Sequence, residues 1–197
     1  NGRYTNGADI NISCFHGSTH GEEDFFKSFA KSCNSSFANI GMSLDRDKFG
    51  KTLNELLYNE KLPLDINYNV SKLTVDGSLS DYDMSQISIG QGNATISPIQ
   101  LNMITNAIAN NGILMKPMFI TEVVDANNMI IKEYKPEEYK RLLSEDEATV
   151  MKELMAEVVE KGTATKLQSE YYTAAGKTGS AEYNGNSLDS HAWATGF

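Results

Sequence analysis

The string Gly176-Lys177-Thr178-Gly179 narrows the choice of fold more than any other segment of this chain. Gly-Lys-Thr ends a nucleotide-binding P-loop, and the same residues also read as a lysine and a threonine projecting from a strand. A P-loop requires another glycine five residues before its second one, because bare backbone must wrap the phosphates. Counting back from Gly176 lands on Tyr171. A P-loop also follows a buried strand and opens a helix, whose N-terminus then meets the phosphate. Here a helical pattern precedes the string and an extended one follows. The phosphate reading fails on both spacing and context.

The strand reading makes chemical sense. Thr178 and Ser180 alternate with Gly179, so their hydroxyls share one face and reach one carboxylate. Lys177 adds a cation, and Gly179 lets another element pass closely. Lys177, Thr178 and Ser180 then form an anion cradle on a rigid edge. A solvated edge strand with a protective lysine fits the string equally well, so Lys-Thr-Gly alone does not choose between them.

Elsewhere the chain alternates helical and extended patterns. Residues up to Thr19 are polar and glycine-rich and read as irregular. From Gly21, Phe25, Phe26, Phe29 and Ala30 fall on one helical face, with Glu22, Glu23 and Asp24 in its first turn. The pattern breaks at Ser32-Cys33-Asn34 and resumes with Phe37 and Ile40. A further helix carries Phe49, Leu53, Leu56 and Leu57 and is limited by Pro63. Residues 64–91 read as short strands and loops. Ser97-Pro98-Ile99-Gln100 marks a helix start, with Gln100 able to reach back to the cap; Gly112 closes it. Residues 118–124 and 129–134 form two extended runs around a turn at 125–128. Ser144 and Glu147 form a capping box for a helix burying Val150, Met151, Leu154, Met155 and Val158, which stops at Gly162. Residues 173–182 and 191–197 read as two strands joined by Asn184-Gly185-Asn186. The expected class is α+β, an antiparallel sheet flanked by helices.

The net charge of −9 and pI of 4.8 argue against nucleic acid, which needs a positive footprint, and against docking on anionic lipid. No apolar run is long enough to cross a bilayer. Neither Cys14 nor Cys33 belongs to a Cys-x-x-Cys pair. Cys14, His16 and His20 sketch a metal site, but a structural zinc needs four ligands and no fourth is evident. The expectation is no metal and no cofactor.

Ser32-Cys33-Asn34 sits at a helix break, where Asn34 could simply cap the next helix. Taken with Lys177-Thr178-Gly179 far downstream, it resembles the penicillin-binding transpeptidases of the serine β-lactamase/D,D-peptidase superfamily, whose set is Ser-x-x-Lys, Ser-x-Asn and Lys-Thr-Gly. The likeness extends to His20-Gly21 leading into "SCNSSFA", to the stretch from Ile89 to Gly112, to Gly162-Thr163-Ala164, and to "HAWATGF" at the end. It is most similar to the monofunctional, class B kind and spans residues 1–197, read as a partial transpeptidase domain.

The resemblance implies a nucleophilic serine in Ser-x-x-Lys, well upstream of Ser-x-Asn. Ser28-Phe29-Ala30-Lys31 matches the pattern but abuts Ser32. Ser28 also lies within a helix, where its N–H bonds one turn back and cannot serve an oxyanion hole. The nucleophile is therefore expected outside the chain, which reads as a fragment.

By resemblance, Ser32 relays a proton to the leaving nitrogen, Asn34 hydrogen-bonds the substrate amide, and Lys177 supplies positive field. Thr178 and Ser180 hold the terminal carboxylate beside Gly179, and the Ser180 N–H completes the oxyanion hole. Gly90-Gln91-Gly92 reads as a structural turn, and the Cys33 side chain is expected to point away from the site. The implied partners are peptidoglycan stem peptides and β-lactams, with other cell-wall synthesis proteins. The implied location is the outer face of the bacterial cytoplasmic membrane, reached through an N-terminal anchor absent from this chain. A serine β-lactamase of the same superfamily, and a non-catalytic wall-binding or β-lactam-sensing module, remain as alternatives.

Overall fold

The structure is a computed structural model describing residues 2–183 and 186–197. Helices flank antiparallel strand pairs, the expected α+β arrangement. The strands form four two-stranded antiparallel sheets among the described residues rather than one continuous sheet.

The irregular stretch expected up to Thr19 is instead a hairpin of β1 (Arg3–Asn6) and β2 (Ile10–Ser13). Its buried side chains are Ile10 and Ile12, which pack on Ala38. Two apolar residues in a four-residue strand are too few to stand out as a period. The next helix, α1 (Phe25–Ala30), is capped by Asp24, whose carboxylate accepts the Lys27 N–H at 2.8 Å. The acidic residues expected in its first turn thus precede it or cap it. Helix α2 (Asn34–Ser43) follows after a tight turn, and α3 (Arg46–Glu55) begins at the Asp45 cap and ends well before Pro63.

Residues 64–91 contain an unforeseen helix, α4 (Asp81–Ile87), capped by Ser80. Its seven residues bury only two large apolar side chains, Met84 and Ile87, which is too short a pattern for a helical period. Met84 and Ile87 join Leu53, Leu73 and Val75 in one part of the core. Helix α5 (Pro98–Ala109) starts as expected on Ser97. Gln100 does not reach back to that cap. It is buried and donates to the Leu56 carbonyl at 2.9 Å, tying α5 to the end of α3. Met103 and Ala107 of α5 pack with Leu57, Leu62 and Leu114.

Strand β3 (Ile113–Met115) pairs with β6 (Glu138–Arg141), and β4 (Glu122–Val124) with β5 (Ile130–Glu133). The Asp125 carboxylate accepts the Asn127 and Met129 N–H groups in the β4–β5 turn. Helix α6 (Glu145–Lys161) carries the complete Ser144–Glu147 capping box. Val150, expected in its core face, is 44% exposed; the buried set is Ala148, Leu154, Met155, Val158 and Val159. Each large member of that set contributes roughly 1.5–3 kcal/mol on burial.

Strands β7 (Gly176–Tyr183) and β8 (Asn186–Gly196) form the last hairpin. Of its expected loop, Asn184 and Gly185 lie outside the described residues. Helix α6 packs on both α1 and β7, and α5 packs on β8. That arrangement sets the α1–α2 turn opposite the start of β7.

Candidate active site

The α1–α2 turn is built to project Ser32. Lys31 ends α1, and Ser32 follows with φ 52°. The Ser32 N–H donates to the Phe29 carbonyl at 3.1 Å and the Cys33 N–H to the Ser28 carbonyl at 2.9 Å. These two bonds are a Schellman closure, whose left-handed residue is usually glycine. A serine there carries a conformational cost of about 1 kcal/mol. What it gains is a hydroxyl aimed at β7, where Lys177 Nζ donates to Ser32 Oγ and, at 2.8 Å, to the Thr178 carbonyl.

Lys177 is half-buried, and its Nζ stands 5.7 Å from the Phe29 ring centre. Burial pushes its ammonium below the ordinary lysine value by desolvation. Among the described residues it forms no ion pair, so its charge faces hydroxyl and carbonyl oxygens. Asn34 is the first residue of α2 rather than its cap, and its amide donates to the Ser13 carbonyl at 3.1 Å. Thr178 and Thr163 hydroxyls meet at 2.5 Å.

Ser32, Asn34, Lys177, Thr178, Gly179 and Ser180 all line one cleft of about 930 Å³. The structure thus brings together every residue singled out from the two motifs. Gly179 plays a smaller steric part than expected, since a Cβ there would stand 3.6 Å from Trp193 Cβ, an ordinary contact. The closely approached glycine of this strand is Gly176, whose Cβ would lie 2.9 Å from the Thr195 carbonyl oxygen.

Residues 2–197 match the family described as the penicillin binding protein transpeptidase domain. The chain belongs to that family. It is 29% identical over 173 residues to the peptidoglycan D,D-transpeptidase PbpA of Mycolicibacterium smegmatis, covering 87% of this chain and 35% of that protein. Stage V sporulation protein D of Bacillus subtilis is 24% identical over 173 residues, covering 87% and 27% respectively. Among solved structures, the D,D-transpeptidase domain of a peptidoglycan glycosyltransferase from Eggerthella lenta superposes with a TM-score of 0.87 at 22% identity, covering 99% of this chain and 49% of that one. The imipenem acyl-enzyme complex of penicillin-binding protein A from M. tuberculosis gives 0.85 at 22%, covering 100% and 44%. The chain therefore spans about a third or less of these two curated relatives and up to about half of the solved chains.

Two residues of this transpeptidase domain contribute to the cleft without having been assigned a role in it from sequence. Gln91, taken as part of a turn, donates through Nε2 to the Ser180 carbonyl at 3.1 Å and accepts the Glu182 N–H at 3.2 Å. Its amide takes the place of a neighbouring strand along the open edge of β7. Gly90 and Gly92, with φ of 76° and 78°, deliver it there; that flanking pair was the available signal. Thr163 is the other, and nothing local in the sequence points to its contact with Thr178.

Ser28 is unsuited to nucleophilic attack in the transpeptidase domain. It is 3% exposed, its N–H donates to the Asp24 carbonyl at 3.0 Å, and its hydroxyl donates to Ser36 Oγ at 3.0 Å.

Proposed function

We propose that this domain supplies two walls of an acyl-serine D,D-transpeptidase site that cross-links peptidoglycan stem peptides and is acylated by β-lactams. The observation that carries this reading is the contact between Lys177 and Ser32 within the cleft that both motifs line. A charged lysine whose partners are neutral keeps its field available to an incoming carboxylate. One relative and one structural neighbour are named D,D-transpeptidases, and another neighbour was solved as an imipenem acyl-enzyme.

In the reaction proposed, a serine of a Ser-x-x-Lys motif outside these 197 residues attacks the penultimate D-alanine carbonyl. The oxyanion forms beside the Ser180 N–H, on the open edge of β7. Collapse breaks the peptide bond, and Ser32 relays the proton released by the attacking serine to the departing D-alanine nitrogen, Lys177 holding its hydroxyl oriented. Asn34 binds the amide of the donor peptide, and Thr178 and Ser180 hold its terminal carboxylate. The amine of a second stem then attacks the acyl ester, restoring the serine and forming the cross-link. The site of action is the outer face of the bacterial cytoplasmic membrane. Among the described residues, no helix is long and apolar enough to cross a membrane.

The test is acylation of the full-length protein by benzylpenicillin, followed by intact mass. A stable adduct is expected on a serine outside Ser28. Lys177→Ala should slow second-order acylation about 100- to 1000-fold with little change in melting temperature, since no core volume is lost. Lys177→Arg should rescue poorly, because a planar guanidinium does not replace a compact ammonium. No adduct in the intact protein, or unchanged acylation by Lys177→Ala, would refute the reading. Fast turnover of the adduct would reassign the protein as a β-lactamase.

A further inference from the structure

Beside the Ser-x-Asn motif lies a cluster of ligating side chains to which the proposed cleft chemistry assigns no role, although Cys14 and His20 line the cleft. Cys14 Sγ, Cys33 Sγ and one ring nitrogen of His20 all lie within 4.8 Å of one another. The two thiols are 2% and 6% exposed. Their sulfurs are 3.7 Å apart, far beyond the disulfide bond length of about 2.05 Å. They do match an edge of a tetrahedron around zinc, which is about 3.8 Å for zinc–sulfur bonds of about 2.3 Å.

Glu23 lies beside this trio, outside its 4.8 Å cluster, and its carboxylate is the candidate fourth ligand. Its side chain is 4% exposed, and Oε1 is buried with no hydrogen-bond partner. It lines one small pocket together with His20 and Cys33. His20 Nδ1 is likewise buried without a hydrogen-bond partner, 3.8 Å from Glu23 Oε2. The other ring nitrogen, Nε2, lies 3.4 Å from Ser18 Oγ, which leaves Nδ1 as the free donor atom. Two buried polar atoms without hydrogen-bond partners are costly, and a cation removes that cost.

The surroundings suit a thiolate–metal bond. Ser35 Oγ lies 3.4 Å from Cys14 Sγ, and Ser36 Oγ donates to Cys33 Sγ at 3.3 Å. Ser28 Oγ lies 3.4 Å from Glu23 Oε2. Each anionic ligand thus has a hydroxyl behind it, the arrangement that orients metal ligands and tunes their basicity. Cys33 also occupies the N-cap of α2, where the helix end favours negative charge.

We infer that Cys14, His20 and Cys33, with the Glu23 carboxylate turned in as fourth ligand, form a structural zinc site beside the Ser-x-Asn turn. Thiolate and imidazole ligands select zinc over calcium or magnesium. Binding displaces the two thiol protons to solvent and leaves all four positions filled by protein, so the ion is structural. The site staples the end of β2 to the α1–α2 turn. Cys33 lies between Ser32 and Asn34, and Cys14 follows Ser13, whose carbonyl holds the Asn34 amide. The metal therefore fixes the backbone that aims both motif side chains. This inference does not depend on the transpeptidase reading.

Elemental analysis of the intact protein, loaded with zinc sulfate under reducing conditions and then dialysed, tests it. About one zinc per chain is expected, with both thiols protected from a thiol reagent until a chelator is added. Cobalt(II) alone should give sulfur-to-metal charge-transfer absorption and intense tetrahedral d–d bands. Cys14→Ala and Cys33→Ala should lose the metal, and Glu23→Gln should bind it roughly tenfold or more weakly. Wild-type protein that keeps no stoichiometric zinc, or whose thiols react equally fast with and without it, overturns the inference. So does a cobalt form lacking the sulfur band. These readouts use the wild type, so a variant that fails to fold leaves the conclusion unaffected.

Discussion

The ammonium of Lys177 donates to the hydroxyl of Ser32 across 145 positions of sequence. One residue sits in the turn after a short helix, and the other is the second residue of a strand. Their meeting depends on α6, which packs against α1 on one side and β7 on the other. The cleft is therefore only as well defined as the docking of that helix.

Desolvation of Lys177 makes stability depend on pH. Below its lowered pKa the lysine is charged in both folded and unfolded chains, and the folded state bears the full desolvation cost. Between that value and the ordinary one of about 10.4, the unfolded chain binds more protons, so stability rises with pH. Lys177→Met lacks this contribution. Thermal melts of the two proteins at increasing pH should show the variant's relative advantage shrinking through that window; a constant difference would mean Lys177 is solvated.

Ser32 holds a left-handed backbone for the sake of its hydroxyl. Ser32→Ala and Ser32→Gly both remove the hydroxyl, but only glycine relieves the backbone. Glycine should be more stable than alanine by about 1 kcal/mol, a melting difference of about 2–4 °C for a domain of this size. Both should acylate β-lactams about 100-fold more slowly or worse. Equal melting temperatures for the two variants would show that the turn carries no strain.

Gln91→Ala removes both hydrogen bonds to the open edge of β7. Water can replace them, so stability should fall by only about 1 kcal/mol. The Ser180 edge should lose its fixed position, and acylation should slow roughly tenfold, equivalent to about 1.4 kcal/mol at the barrier. Paired melting and acylation measurements separate the two effects. A normal acylation rate would return Gln91 to a purely structural turn.

Gly162 ends α6 where it meets α1. A Cβ there would lie 2.3 Å from the Ala30 carbonyl oxygen and 2.7 Å from Val158 Cα. Gly162→Ala should therefore force α6 away from α1 and cost about 1–3 kcal/mol. The neighbouring Thr163–Thr178 contact should loosen with it. Thermal melts check the first effect, and β-lactam acylation, expected to fall, checks the second; an unaltered melting temperature would mean the junction is soft.

Read without any structure, the chain disclosed its α+β class, the capped starts of α5 and α6, the β4–β5 hairpin and the residues of both motifs. Those features rest on local physics: Ser97 and Ser144 satisfy orphan helix N–H groups within one turn, and Asp125 organises its own turn. The β1–β2 hairpin and α4 escaped notice because short elements with two buried apolar residues carry no measurable period. Tertiary structure alone decided that Gln100 ties α5 to the end of α3, that Gln91 braces β7, and that Cys33 joins Cys14 and His20 in one cluster with Glu23 beside it. Sequence spacing orders ligands along a chain, whereas a closed four-ligand shell depends on which way buried side chains point once β2, α1 and α2 have packed.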